Sequence, residues 1–516
     1  MSLIQVKDLT FSYDGSYDLI FEKASFQIDT DWKLGLVGRN GRGKTTLLKL
    51  LMNQMEYQGT IQSDVEFDYF PFQVEEQEEP AIAAAYLIYP ELEYWQLVRE
   101  LSRLEMREEQ LDQPFSVLSG GEKSKILLAV LFLKQNNFLL IDEPANHLDT
   151  GTRRLVGRYL AKKKGFILVS HDRAFLDAST DHILAIDKTK ITVTHGNFSV
   201  WYENKQRREQ FELSENAKLT RDIQRIKAAA GQAKAWADKA ESVKIGKKAA
   251  LKQEQTGKLV TRAYVGEKSR RMQQRRKNLE KRQQKAIEEK SGLLQDVEIA
   301  EDLKLFPGVL QIKKDSPVLR LREYSIACPK TETLIFEGVS FEVNPGEQVL
   351  LEGKNGCGKS SILKKILEKY SGIPMLPDAE TKGSLWLAPH LTISYVPQDA
   401  SFLKGSFREY ARQTEEQNDI DMSLFLSMLR KLGLERVQFE KRMEEFSEGQ
   451  KKKVLLAKSL CQKADLYLWD EPLNYIDIYT RMQIEKVIAE VRPTMILVEH
   501  DEMFAKTIAA KVVKVV

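Results

Sequence analysis

Residues 38–45 read Gly-Arg-Asn-Gly-Arg-Gly-Lys-Thr, which matches G-x-x-x-x-G-K-[ST]. Glycines at this spacing let backbone N–H groups close around phosphate oxygens at a helix N-terminus, where the dipole also favours negative charge. Lys44 would then reach the β- and γ-phosphates of a nucleotide, and the Thr45 hydroxyl a magnesium ion. A second copy, residues 353–360, reads Gly-Lys-Asn-Gly-Cys-Gly-Lys-Ser at an offset of 315. One match could be a chance glycine turn; two at a constant offset are not.

Each copy then carries an apolar run that ends in acid: residues 138–143 (FLLIDE) and 466–471 (LYLWDE). The first carboxylate of each pair, Asp142 or Asp470, suits the coordination shell of magnesium. The second, Glu143 or Glu471, could polarise an attacking water. An ordinary acidic turn at a strand end would look the same, but the repetition argues against it. His171 and His500 each follow another apolar run, where an imidazole could sense a γ-phosphate; a lone histidine is as readily structural.

These groups need strands that end at one edge and helices that begin there. Residues 34–37 predict a strand before the first loop, and residues 46–52 a helix after it. The repeat extends further: residues 19–27 (LIFEKASFQ) return as 334–342 (LIFEGVSFE), and His171-Asp172 as His500-Asp501. The chain reads as a tandem duplication with an insert.

The insert differs in kind. No proline occurs between Pro144 and Pro307, and residues 205–290 hold 25 Lys+Arg against 11 Asp+Glu, a net +14. The whole chain of 516 residues is only +3, so the rest carries −11. Leu219, Ile223, Ile226, Ala230, Ala233, Ala237 and Ala240 follow heptad spacing, and Met272, Leu279, Ala286 and Leu293 stand seven apart. Two such segments around a break predict an antiparallel helical hairpin. The break is placed at 246–266, between two glycines, with an arm of about 40 residues reaching roughly 60 Å. Leu251, Leu259, Val260 and Tyr264 are the apolar candidates at that tip. The predicted domains are 1–202, a linker 203–305 and 306–516.

Composition narrows the class. With 42% hydrophobic and 30% charged residues, the chain suits a globular protein with a highly charged attachment. No run of 18 apolar residues exists, which excludes a transmembrane helix. The N-terminus shows no secretory pattern, so a cytoplasmic location is expected. Three widely spaced cysteines form neither a disulfide framework nor a zinc site.

Leu118-Ser119-Gly120-Gly121-Glu122, placed before the first acidic run, completes a set that resembles the ATP-binding cassette (ABC) ATPases. The resemblance implies an α/β fold of two tandem ABC-type P-loop domains with ATP and Mg²⁺ as ligands. It makes Glu143, Glu471, His171 and His500 the catalytic candidates. Implied nucleotide contacts in the first copy are Tyr13, stacked on adenine, with Gly38, Asn40, Gly41, Gly43, Lys44, Thr45, Thr46, Gln73, Ser119, Gly120 and Gly121. Those in the second are Gly353, Asn355, Gly356, Gly358, Lys359, Ser360, Ser361, Gln398, Ser447, Gly449 and Gln450. Magnesium would fall to Thr45, Gln73 and Asp142, and to Ser360, Gln398 and Asp470. Asp149 and Asp477 resemble the aspartate that follows the acidic strand. Each signature serine is expected to serve the nucleotide of the opposite domain.

Two cassettes on one chain with a long basic linker and no membrane span resemble the ABC-F subfamily, which acts on the ribosome. Only 45 residues separate Gln73 from Leu118, and 16 follow His500, leaving little room for an extra arm or a terminal coiled coil. With FSEGQKKKVLLAKSL, these features resemble the antibiotic-resistance branch of the Lsa and Vga types. The expectation is a ribosome-binding ATPase contacting ribosomal RNA and tRNA. It would act as a monomer whose cassettes pair within the chain, with no membrane partner, and its linker would protect the peptidyl-transferase region from a drug. Alternatives are a housekeeping ABC-F translation factor, a DNA-associated ABC ATPase and an exporter ATPase. Two departures imply unequal sites. Glu448 replaces a signature glycine, so its charge is expected to burden the site built on Lys44. Cys328 occupies the place equivalent to Tyr13, with Tyr324 as a nearby substitute.

Overall fold

The structure is a computed structural model. It describes residues 2–515 except 14–18, 73, 75–76, 147, 189, 246–273, 275–276, 279–280, 283, 286–301, 309–315, 329–332, 377–378, 419, 435 and 509. Two compact units emerge: Met1–Trp201 together with Ala300–Val516, and Tyr202–Ile299.

In the first cassette, β1 (Leu3–Phe11), β2 (Phe21–Asp29) and β4 (Gln58–Gln62) form an antiparallel sheet in the order β2-β1-β4. The second sheet combines β3 (Lys33–Val37), β5 (Glu66–Phe70), β6 (Asn137–Asp142), β7 (Phe166–Val169), β8 (His182–Asp187) and β9 (Lys190–His195). Their order is β5-β6-β7-β3-β8-β9, parallel except for the last pair. The central strands are buried on both faces and therefore read as unbroken apolar runs rather than alternating ones. Leu34, Leu36, Phe138 and Leu140 pack with Val6, Phe21 and Leu48 into one core.

The second cassette repeats the plan. Here β10 (Leu319–Cys328), β11 (Thr333–Val343) and β13 (Glu380–Leu387) form the antiparallel sheet. The parallel sheet contains β12 (Gln348–Glu352), β14 (Ile393–Val396), β15 (Leu466–Asp470), β16 (Met495–Val498) and β17 (Lys511–Lys514) in the order β14-β15-β16-β12-β17. In each sheet the strand before the glycine loop lies between two strands that come later in the chain, β3 between β7 and β8 and β12 between β16 and β17. A ligand crevice opens beyond the C-terminal ends of such strands, where the order reverses.

The first half of the linker is one helix, Phe198–Ile245, of 48 residues, about 72 Å at 1.5 Å each. Leu219 and Ile226 are half-buried and Ile223 is buried, while Lys218, Arg221, Gln224 and Arg225 are exposed. Leu219, Ile223 and Ile226 therefore face inward and these basic residues outward, while the side chains of Ala230, Ala233, Ala237 and Ala240 lie outside the described part. In the second half, Gln274, Lys277, Asn278, Lys281, Arg282, Gln284 and Lys285 are helical and exposed. Met272, Leu279, Ala286, Leu293 and the tip residues Leu251, Leu259, Val260 and Tyr264 lie outside the described residues.

One boundary differs from the sequence reading. Residues 302–305, placed in the linker there, pack on the second cassette: Leu303 and Leu305 are buried in its core, and Asp302 pairs with Lys486 at 2.7 Å. The cause is the two-residue spacing of the leucines, which puts both on one side of an extended segment rather than on a heptad face. Among the described residues no helix is long and apolar enough to cross a membrane.

Candidate active sites

Both glycine loops link their strands to helices, Lys44–Leu51 and Lys359–Ser371. The residues before these helices, Gly43 and Gly358, have φ of 86° and 92°, a left-handed conformation that favours glycine. Space adds to the requirement: a Cβ on Gly43 would lie 2.5 Å from Ile20, and one on Gly358 would lie 2.6 Å from Ile335. Lys44 Nζ donates to Gly38 O at 2.9 Å and Asn40 Oδ1 at 3.1 Å, and Lys359 Nζ to Gly353 O at 2.9 Å. Both ammonium groups thus lie folded over their loops. Burial lowers the pKa of Lys44, offset in part by Asp477, Glu143 and Asp142.

The acidic strands end beside these loops. Thr45 Oγ1 donates to Asp142 Oδ2 at 2.9 Å, and Ser360 Oγ to Asp470 Oδ1 at 3.0 Å. A hydroxyl in contact with a carboxylate at the phosphate end of the loop is a donor set suited to magnesium. Tyr69 Oη also donates to Asp142, at 3.0 Å. Burial holds Asp470 up to about 6 despite the Ser360 bond. Tyr13 lies beside the first loop, its hydroxyl 2.7 Å from Thr46 Oγ1, and its ring meets Phe11 edge-on.

The two glutamates share a backbone and differ in surroundings. Their φ values are 51° for Glu143 and 45° for Glu471, a strained conformation that sites of chemistry often keep. His171 Nε2 is 3.4 Å from Glu143 Oε1, and His500 Nε2 is 3.6 Å from Glu471 Oε1. Glu471 Oε2 accepts from Gln398 Nε2 at 3.0 Å and Asn474 Nδ2 at 2.7 Å. Glu143 Oε1 is buried without a hydrogen-bond partner among the described residues, as is His500 Nε2. Buried polar atoms normally find partners, so the Glu143 oxygen suits a water, and the His500 nitrogen a water or a phosphate oxygen. Burial and the adjacent Asp142 push Glu143 up to about 8, against the pull of Arg481 and Lys44. For Glu471 burial is outweighed by His500 and Gln398, which hold it below the usual carboxylate range. Burial, together with Lys44 and Arg481, holds His171 well below its ordinary value, so its ring is neutral.

The signature segments cap helices. Ser119 and Ser447 each accept from the backbone N–H three residues on, while Glu122 and Gln450 reach back, closing a capping box. A cap of this kind contributes about 1 kcal/mol, and here it also aims helix N-termini at the opposite loop. Ser119, Gly120 and Gly121 face Asn355, Gly356, Lys359, Ser360 and Ser361, with Gln398, Glu471 and His500, across a cleft of 840 Å³. Ser447, Glu448, Gly449 and Gln450 face Asn40, Gly41, Thr45, Glu143 and His171 across one of 690 Å³. Tyr13, Gly43, Lys44, Thr46 and Asp142 line a recess of 330 Å³ that shares several of these residues. Asp149 and Asp477 cap helices Thr150–Ala161 and Ile478–Val491.

Two expectations change. Tyr324 does not replace the adenine-stacking residue: it is only 5% exposed, within the core of the second cassette. By the repeat offset it stands where Leu9 does, an inward position of β1, so the register directs it away from the cleft. The charge of Glu448 is also compensated, since its carboxylate pairs with Lys451 Nζ at 3.1 Å, one turn along the helix. Tight packing in that signature lies instead at Gly449, where a Cβ would come 2.6 Å from Tyr475 O. The same carbonyl accepts from Asn40 Nδ2 of the first loop at 2.9 Å. Gln73 and the Cys328 side chain lie outside the described part. Sequence reasoning missed Asn474, whose only signal was its place three residues after Glu471, and Tyr69, which lies 73 residues before Asp142 and gave none.

The unequal glutamates give a pH prediction. A base must be ionised, and with a pKa of about 8 the ionised fraction of Glu143 rises about tenfold from pH 7 to pH 9. Turnover in an E471Q variant, which relies on Glu143, should therefore rise steeply over that range. The E143Q variant, which relies on Glu471, should be nearly flat. Steady-state phosphate release against pH checks this, and parallel profiles would refute it.

A family model described as ABC transporter matches residues 21–146 and 336–474, just over half of the chain. The ribosome protection protein VmlR of Bacillus subtilis (strain 168) is 26% identical over 512 residues, covering 97% of this chain and 85% of that protein. The ATP-binding protein Uup of Buchnera aphidicola is 26% identical over 541 residues, covering 99% and 80%. A solved structure of an archaeal ribosome recycling factor, aABCE1, with the stalk protein aP1 shares the fold. Its TM-score is 0.60 at 18% identity, over 98% of this chain and 87% of that one. With its glycine loops, acidic strands and signature helices arranged as two ATPase cassettes, the chain belongs to the ABC transporter family.

Proposed function

We propose that this protein is a cytoplasmic, ATP-dependent ribosome-binding factor of the ABC-F type. In this reading its linker protects the peptidyl-transferase region from an antibiotic, and ATP hydrolysis releases it. The observation that carries the reading is the pair of composite clefts, each walled by both cassettes, on a chain whose intervening segment holds a net +14. ATP bound in the clefts would draw the cassettes together within one monomer. Lys44 and Lys359 would hold β- and γ-phosphates, and the helix N-termini at Ser119 and Ser447 would face the γ-phosphate from across the cleft. Thr45 with Asp142, and Ser360 with Asp470, would hold magnesium, with Gln73 and Gln398 beside them. Bound magnesium would supply neutralisation of charge on the phosphate oxygens. Glu143 and Glu471 would take the proton of the attacking water, and His171 and His500 would orient it.

The basic linker would contact ribosomal RNA and tRNA phosphates, a term that weakens with salt. The similarity to VmlR over 97% of this chain supports the protective role. A second reading, a translation factor without such a role, is supported by equal identity to Uup, whose name carries no protective function. Ribosome pelleting with ATP across a salt series, paired with susceptibility of an expressing host to drugs of the large-subunit catalytic centre, tests both. Pelleting with raised resistance is the expected result. Pelleting without resistance favours the second reading, and no pelleting removes both.

A further inference from the structure

The residue after each His-Asp pair differs in charge between the copies: Arg173 in the first, Glu502 in the second. Each opens a short helix, Arg173–Ser179 or Glu502–Thr507. Each reaches into the other cassette. Arg173 Nη2 donates to Glu485 Oε1, on helix Ile478–Val491. Arg154 Nε, on helix Thr150–Ala161, donates to Glu502 Oε1. The pair Arg173–Glu485 is buried, with side chains 10% and 4% exposed, whereas Arg154–Glu502 lies nearer solvent. None of the four lines either nucleotide cleft.

We infer that these two ion pairs form a charge-coded joint, separate from the nucleotide sites, that makes the first cassette pair with the second. The offset that aligns Asp149 with Asp477 places Gly157 opposite Glu485 and Arg154 opposite Met482. Two copies of the first cassette, brought together in the same geometry, would bury Arg173 against Gly157 with no anion, and Arg154 would face another Arg173. Two copies of the second would set Glu502 against Glu485. An unpaired or like-charged ion in a buried contact is strongly disfavoured. Only the mixed pairing matches every charge. The neighbouring aspartates are already committed within their own cassettes, Asp172 to Arg153 at 3.2 Å and Asp501 to Arg481 at 3.4 Å, so they do not substitute. The joint stands apart from the residues that line the clefts.

The test uses the full chain and charge reversal. R173E and E485R each oppose like charges, and both should lower ATP turnover about tenfold or more, since each cleft needs both cassettes. The double reversal R173E/E485R restores opposite charges and should recover activity to within about threefold of wild type. Should the buried single variants fail to fold, R154E, E502R and R154E/E502R repeat the test near solvent, with a loss of about threefold and the same recovery. Recovery in either pair supports the joint. Singles that leave turnover unchanged, or double reversals no more active than their weaker single parent, overturn it.

Discussion

Replacing Glu143 and Glu471 together by glutamine is expected to cut ATP turnover by about 10²- to 10⁴-fold while leaving ATP affinity within about threefold. Glutamine keeps the size of the side chain and an oxygen that can still accept from Gln398 and Asn474, which now bond Glu471. What it lacks is a carboxylate able to take a proton. The lysines and glycine loops that would hold phosphate are untouched, so the clefts should close and stay closed. Phosphate release and equilibrium nucleotide binding measure the two halves of the claim. In a translating extract the variant should accumulate on ribosomes with ATP and inhibit synthesis. Hydrolysis at the wild-type rate would remove both glutamates from the role of base.

Deleting residues 251–264 is expected to abolish drug protection while leaving ATP turnover within about twofold. The segment between Gly246 and Gly266 interrupts the heptads and holds five lysines or arginines together with Leu251, Leu259, Val260 and Tyr264. A hairpin end gains little from apolar side chains unless they meet a partner or close on each other. Stacking of one aromatic ring on a base is worth about 1–3 kcal/mol, so losing Tyr264 alone could weaken engagement severalfold or more. Alanine at Leu259, Val260 and Tyr264 should lower protection with ribosome pelleting nearly intact. Full protection by the deleted chain would show that the cassettes act without the linker.

Local pattern carried much of this molecule. The glycine loops could be found because phosphate binding constrains consecutive backbone positions, and the buried strands because both their faces are covered. The first linker helix was legible from Leu219, Ile223 and Ile226, whose spacing matches one helical face. What sequence could not give was pairing between distant segments. Tyr324 looked available for a nucleotide base until the register of β10 turned it into the core. Glu143 and Glu471 share the Asp-Glu-Pro tripeptide, yet one carboxylate is held by Gln398 and Asn474 while the other has a buried oxygen without a hydrogen-bond partner among the described residues. The Arg173 and Glu502 difference was visible in the aligned repeats, but its meaning needed the helices they touch.

The hydrogen bond from Asn40 to the Tyr475 carbonyl joins residues 435 apart in the chain. During synthesis at 5–20 residues per second, the first glycine loop emerges about 20 to 90 seconds before that partner. The other cleft also waits, because His500, which lines it, lies beyond Tyr475 in the chain. A growing chain therefore displays a folded first cassette and a long cationic helix well before it can sandwich a nucleotide. Throughout that interval the nascent protein carries that charge without a composite cleft for ATP. A composite cleft therefore exists only after residues as distant as Asn40 and Tyr475 have both been made.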